Sequence, residues 1–236
     1  CAVHNWTSLG VFTGSRVGEY AQSKPTKGVP FAYIPMNVDA GEWAGHPVAI
    51  IRTDFSFFDE AGHQLPSTNI ATLQKSTNEV HIRFRYDKSP TNFSVRKFKT
   101  TGHHFSCPCL ASIAIFYRAE LLQVPTCQPI GVCCKPSKDH SGFRFLSDND
   151  VTSELRATCR RTYPDPNHYM HQHILCIMAH SVRVTACVAL HSAGESEFVI
   201  AFRLRWTVQS VMHYIRDCTQ HVGDLCQAVL SGAGRL

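Results

Sequence analysis

The chain has 236 residues, of which 44% are apolar and 17% charged, with a formal net charge of +5. That is apolar material enough for one large or two small cores, and the positive surplus permits a phosphate-binding surface without requiring one. Eleven cysteines are an odd number in a chain too large for a disulfide-stapled miniprotein, and no basic, apolar, small-residue leader opens it, so a reducing, intracellular setting is expected. No apolar run approaches the roughly 18–20 residues of a membrane span, which predicts a soluble chain without a membrane partner.

Taken in chain order, Val3, Trp6, Leu9, Val11, Phe12, Val17 and Tyr20 follow a broadly helical period broken near Thr13-Gly14, which predicts two short helices. Residues 47–58, PVAIIRTDFSFF, read as a strand, and FDEAGHQL as a turn. In EVHIRFRY (79–86) Val80, Ile82, Phe84 and Tyr86 alternate with His81, Arg83 and Arg85, the pattern of a half-buried strand. DKSPTN turns the chain and FSVRKFK continues as the partner strand of a hairpin. Residues 107–123 carry a proline near their start and then apolar residues at helical spacing, predicting a helix. The Pro-, Gly- and Ser-rich stretch 125–142 predicts a surface loop, and 147–163 a helix opened by good cap residues. Short helices are expected at about 180–193, 196–203, 208–216 and 220–230. Helices, a small antiparallel sheet, then helices again make a mixed α+β domain.

Chemistry concentrates near the two ends. His180 and Arg183 stand at i and i+3 on an expected helix, so both side chains leave one face and can meet one anion. Arg16 and Glu19 repeat the spacing, with a carboxylate able to hold a guanidinium in place. Trp206 offers an indole N–H donor and Tyr214 a phenol, a poor nucleophile until its proton is removed. Arginines, a histidine, an indole donor, a hairpin lysine and a tyrosine suit attack of a tyrosine on a phosphodiester, whose transition state carries charge on non-bridging oxygens. The Cys/His-rich stretches 103–109, 127–134 and 168–173 lack well-spaced ligand pairs, so no metal site is expected.

The stretches TGSRVGEYAQ, VHIRFRYDKSPTN, HSVRVTACVALHSAG and LRWTVQSVMHYIRD, in that order, resemble the catalytic domain of the tyrosine recombinase (phage integrase) family, of the kind encoded by eukaryotic mobile elements such as cryptons. The resemblance covers about residues 5–220 and implies a mostly helical α+β catalytic domain with a β-hairpin. It implies that Tyr214 is the nucleophile, that Arg16 and Arg183 hold the scissile phosphate with Glu19 in support, and that His180 assists proton removal. Trp206, at a position where the family commonly has histidine, would donate to a phosphate oxygen, and Lys88 would protonate the leaving 5′-oxygen. Lys75, Lys97 and Lys99 lie in or near the same hairpin and are the alternatives to Lys88. The implied partners are double-stranded DNA and further copies of the chain, as a tetramer on two DNA sites. No cofactor is implied, and the location would be the nucleus in a eukaryote. An upstream core-binding domain would lie outside this chain. The segment after Tyr214 resembles the family's docking tail. Residues 22–78 and 125–142 have no counterpart. The reading from another class is a non-catalytic DNA-binding remnant of a mobile element that keeps the phosphate pocket.

Overall fold

In the computed structural model, which describes residues 2–21, 33–34, 36, 44–85, 93–135 and 142–215, the apolar stripe of Val3, Trp6 and Leu9 is the buried face of α1 (Ala2–Thr13). Gly14, at φ +59, stops the helix in the left-handed conformation that glycine adopts without steric cost. The second helix expected before residue 21 is reduced to a single 3-10 turn, Val17–Glu19. The Glu19 carboxylate accepts the Arg16 backbone N–H at 3.2 Å and closes that turn at once. Tyr20 then stacks on Trp6 with ring centroids 4.9 Å apart.

The expected strand at 47–58 shortens to β1 (Phe55–Phe58). Ahead of it Ile50 and Ile51 are buried in irregular chain, and Arg52–Asp54 forms a 3-10 turn. Asp54 is the cause: its carboxylate accepts the Ile51 N–H at 2.9 Å and pairs with Arg85 at 2.5 Å, both side chains buried. An apolar run that reads as continuous strand is thus folded around one internal ion pair. Arg85 itself, expected on the polar face of its strand, is 2% exposed.

A four-stranded antiparallel sheet follows in the order β2-β1-β3-β4, with β2 (Gln64–Leu65), β3 (Glu79–Arg83) and β4 (Val95–Lys99). The predicted hairpin is present, with Ile82 opposite Arg96 and Val80 opposite Phe98. Val80, Ile82, Phe84 and Phe98 face the core, as the period of two requires. Residues 86–92, the hairpin tip with Lys88, lie outside the described residues. A short helix not expected from the sequence, α2 (Ile70–Ser76), is capped by Asn69, whose side chain accepts the Thr72 N–H; two turns are too few to show a period.

The helix expected at 107–123 is α3 (Pro108–Leu121), with Cys107 and Cys109 buried at its start. The expected surface loop at 125–142 is instead partly internal. Ile130 and Val132 are buried, β5 (Val132–Cys134) pairs with β6 (Phe143–Phe145), and residues 136–141 lie outside the described set. Backbone bonds run from Ile130 N to Ile50 O and from Ile50 N to Glu19 O, so this segment braces the turn that carries Glu19. Its turn-forming composition hides the apolar residues that bury it.

Ser147 caps α4 (Asp148–Thr162) by accepting the Asp150 N–H, and a 3-10 stretch (Tyr169–Cys176) leads to α5 (His180–Ser192). The expected short helices are α5, α6 (Glu197–Leu204) and α7 (Val208–Ile215); the one at 220–230 lies outside the described residues. Ala186, Cys187, Ile200, Leu204, Val211 and Ile215 pack α5, α6 and α7 into a second core cluster beside the main one. At Gly10 a Cβ would come within 2.8 Å of Val182 Cγ1, so glycine sets the close crossing of α1 on α5. That joint brings the two ends of the described chain together.

Candidate active site

His180 is the first residue of α5, and Arg183 lies one turn further on the same helix. Arg183 is 7% exposed, and its Nη1 donates to the Gly14 carbonyl at 2.8 Å. The left-handed glycine that ends α1 therefore also presents the oxygen that fixes Arg183. The guanidinium lies 4.1 Å from the Trp206 ring centroid, a cation–π contact in the range worth about 0.5–2 kcal/mol. The indole N–H of Trp206 is buried and has no hydrogen-bond partner among the described residues.

Tyr214 reaches in from α7. Its hydroxyl and His180 Nε2 share a hydrogen bond of 2.9 Å, and its ring is 5.1 Å from that of Trp206. With the imidazole proton on Nδ1, the phenol donates to Nε2, the arrangement of a nucleophile with its base. The His180 pKa is lowered below its ordinary value by burial first, then by the charges of Arg183 and Arg16. The ring is thus held neutral and able to accept a proton near pH 7.

Arg16 supplies the third side of the site. It is two residues beyond Gly14, its side chain is 38% exposed, and its Nη1 lies 3.9 Å from Glu19 Oε1. Glu19 is buried, and the cation that holds it tightly is one the sequence reading did not single out. Arg205 donates to both carboxylate oxygens, Nη1 to Oε1 at 3.2 Å and Nη2 to Oε2 at 2.8 Å. Arg205 is 4% exposed, sits at φ 60 and ψ 42, and lies 3.7 Å from the Phe84 ring centroid. A left-handed arginine costs about 1–2 kcal/mol of backbone energy, and the pair with Glu19 offsets it. The one sequence sign of this partner was its place directly before Trp206, since a carboxylate 186 residues away in sequence gives no local pattern.

The structure therefore brings together Arg16, Glu19, His180, Arg183, Trp206 and Tyr214. It leaves Lys88 outside the described residues. The hairpin that carries Lys88 is tied to the site by Phe84 under Arg205 and by Arg203, which donates to the Lys97 carbonyl at 3.2 Å. Lys97 and Lys99 are exposed on β4, and Lys75 is in the last turn of α2. Among the described residues no group of three or more His, Cys, Asp or Glu side chains is placed to hold a metal ion. The arrangement can remove a proton from a phenol beside an anion position framed by guanidiniums and an unfilled N–H donor. No protein-family model matches the chain, and no curated protein matches it.

Proposed function

We propose that this chain is a DNA strand transferase of the tyrosine recombinase kind. The observation that carries the reading is the hydrogen bond between Tyr214 and a His180 held neutral, made beside buried Arg183 and the unpartnered indole N–H of Trp206. Tyr214 Oη attacks a backbone phosphorus, its proton passing to His180 Nε2. The new O–P bond forms as the bond to the 5′-oxygen breaks, and that oxygen leaves with a proton from Lys88. Arg16, Arg183 and the Trp206 N–H neutralise the non-bridging oxygens, where charge develops. The phosphotyrosine keeps the bond energy, so rejoining is the same step reversed with a new 5′-hydroxyl, and no cofactor enters. The substrate is double-stranded DNA, recombination between two sites calls for a tetramer, and in a eukaryote the work is nuclear.

The test is a randomised library of nicked duplexes in which cleavage releases a short strand and prevents rejoining. Wild type is expected to give an SDS-resistant protein–DNA band that Tyr214→Phe abolishes while DNA affinity stays within about twofold, because the variant loses one oxygen and little packing. DNA retention without any wild-type band would favour the non-catalytic remnant.

A further inference from the structure

Between α2, α3 and β5 lies a half-open pocket of about 370 Å³ that the chemistry proposed above does not use. That volume falls within the range of small-molecule sites. Leu110, Ala114, Tyr117 and Leu121, three or four residues apart, put one face of α3 into its wall. An apolar stripe at that spacing ordinarily faces a core, yet Leu110 is 39%, Tyr117 41% and Leu121 64% exposed. Gln74 of α2 and Cys134 of β5 also line the pocket.

Arg118, on the same helix, lines it as well and supplies its positive charge. The side chain is half-buried, and burial lowers its pKa from the ordinary value, opposed by the neighbouring Cys134 and Cys133 thiols. An arginine keeps its proton under such burial and needs an acceptor instead. Other arginines of this region have theirs. Arg52 takes Glu120 at 2.7 Å and the Val124 carbonyl at 3.0 Å, and Arg144 takes both oxygens of Asp150 at 2.7 and 2.8 Å. Glu120, two residues along α3 from Arg118, is thereby spent on Arg52. The Arg118 guanidinium makes no hydrogen bond or ion pair among the described residues.

We infer that this pocket is a binding site for a small organic carboxylate with an apolar body: the carboxylate takes the Arg118 guanidinium, and the hydrocarbon covers the exposed face of α3. The site rests on no part of the function proposed above. A guanidinium offers two parallel N–H donors to the two oxygens of a carboxylate, and the bonds strengthen as the apolar body excludes water. An alcohol of the same length would cover the wall and leave the cation unneutralised. An amine would bring a second positive charge beside it.

The experiment titrates the full chain with octanoate by isothermal titration calorimetry, with octanol, octylamine and acetate as comparisons. Octanoate is expected to bind at one site per chain, and acetate roughly a hundredfold more weakly, because it lacks the methylenes whose burial contributes. Arg118→Gln should weaken octanoate by roughly tenfold to a hundredfold, as loss of a hydrogen bond to a charged group does, and change octanol by less than about threefold. Iodoacetamide alkylation, read by mass spectrometry of the cysteine peptides, gives the position. Octanoate at about ten times its Kd should slow modification of Cys134 about tenfold, in proportion to the free site. Cys127 and Cys176, exposed and outside the pocket lining, should react as before.

No octanoate binding at millimolar concentrations overturns the inference. So does octanoate that binds no better than octanol, or equally well to Arg118→Gln, or that leaves Cys134 unprotected. If Arg118→Gln does not fold, Ala114→Leu serves, since it fills the pocket without touching the charge. It should weaken octanoate by about tenfold or more, and an unchanged affinity overturns the site.

Discussion

His180, the proton acceptor in the proposed chemistry, is the site residue on which pH acts most directly. The pKa of His180 is lowered from an ordinary 6.5 by burial, then by Arg183 and Arg16. Between that lowered folded value and 6.5 the unfolded chain binds more protons than the folded one, so stability rises with pH across this window. The contribution of His180 is complete above about pH 6.5 and declines as pH falls toward the folded value. An NMR titration of the imidazole should give a midpoint below 6.5. Arg183→Gln should move that midpoint upward. A midpoint at or above the ordinary value would mean that the ring is not held neutral, and the base assigned to Tyr214 would be lost. His180, Arg183 and Tyr214 could be chosen from the sequence because the stretches that carry them resemble those of the tyrosine recombinase family, in family order; singly each has an ordinary reading as packing or a solvated face. Arg205 could not, since its meaning lies in a carboxylate at the other end of the chain.

Among the elements, the segment around Gly131 shows how a site is supported from outside it. A Cβ there would lie 1.5 Å from the Tyr20 carbonyl oxygen, a backbone atom that no side-chain rotation can move aside. Neighbouring Ile130 bonds to Ile50, and Ile50 to Glu19. Gly131→Ala is therefore expected to cost at least the ~3 kcal/mol upper end of overpacking, read as a lowered urea midpoint, and to displace the turn that carries Arg16 and Glu19. An unchanged midpoint would show that the contact is not fixed. Composition placed this segment on the surface because Pro, Gly and Ser mark turns wherever they occur. The helices α3 to α7 were legible because capping residues and apolar period act within a few residues of each other.

At the scale of the whole molecule, charge and the joint between α1 and α5 matter most. With a net charge of +5 and guanidiniums gathered at one site, the DNA binding proposed above is expected to weaken steeply with salt. Each phosphate contact contributes a slope of about −0.9 in log affinity against log salt. Arg183→Ala should flatten the slope by about that single increment, measured by anisotropy over a salt series. An affinity indifferent to salt would argue against DNA as the partner.

The sequence by itself determined the α+β class, the hairpin, the helices from α3 onward, and the residue types from which an anion-binding nucleophilic site can be built. These follow from periods of two and 3.6, from caps, and from side-chain chemistry, all of which are local. Tertiary structure alone decided that Asp54 and Arg85 would break the first strand, that Ile130 and Val132 would enter the core, and that Gly10 would let α1 approach α5. It also decided that Arg205 would hold Glu19. Each of these is a contact between distant segments: the charged and backbone ones are made because a buried charge or an unpaired backbone group must find a partner, and the crossing at Gly10 because a missing Cβ leaves room for Val182.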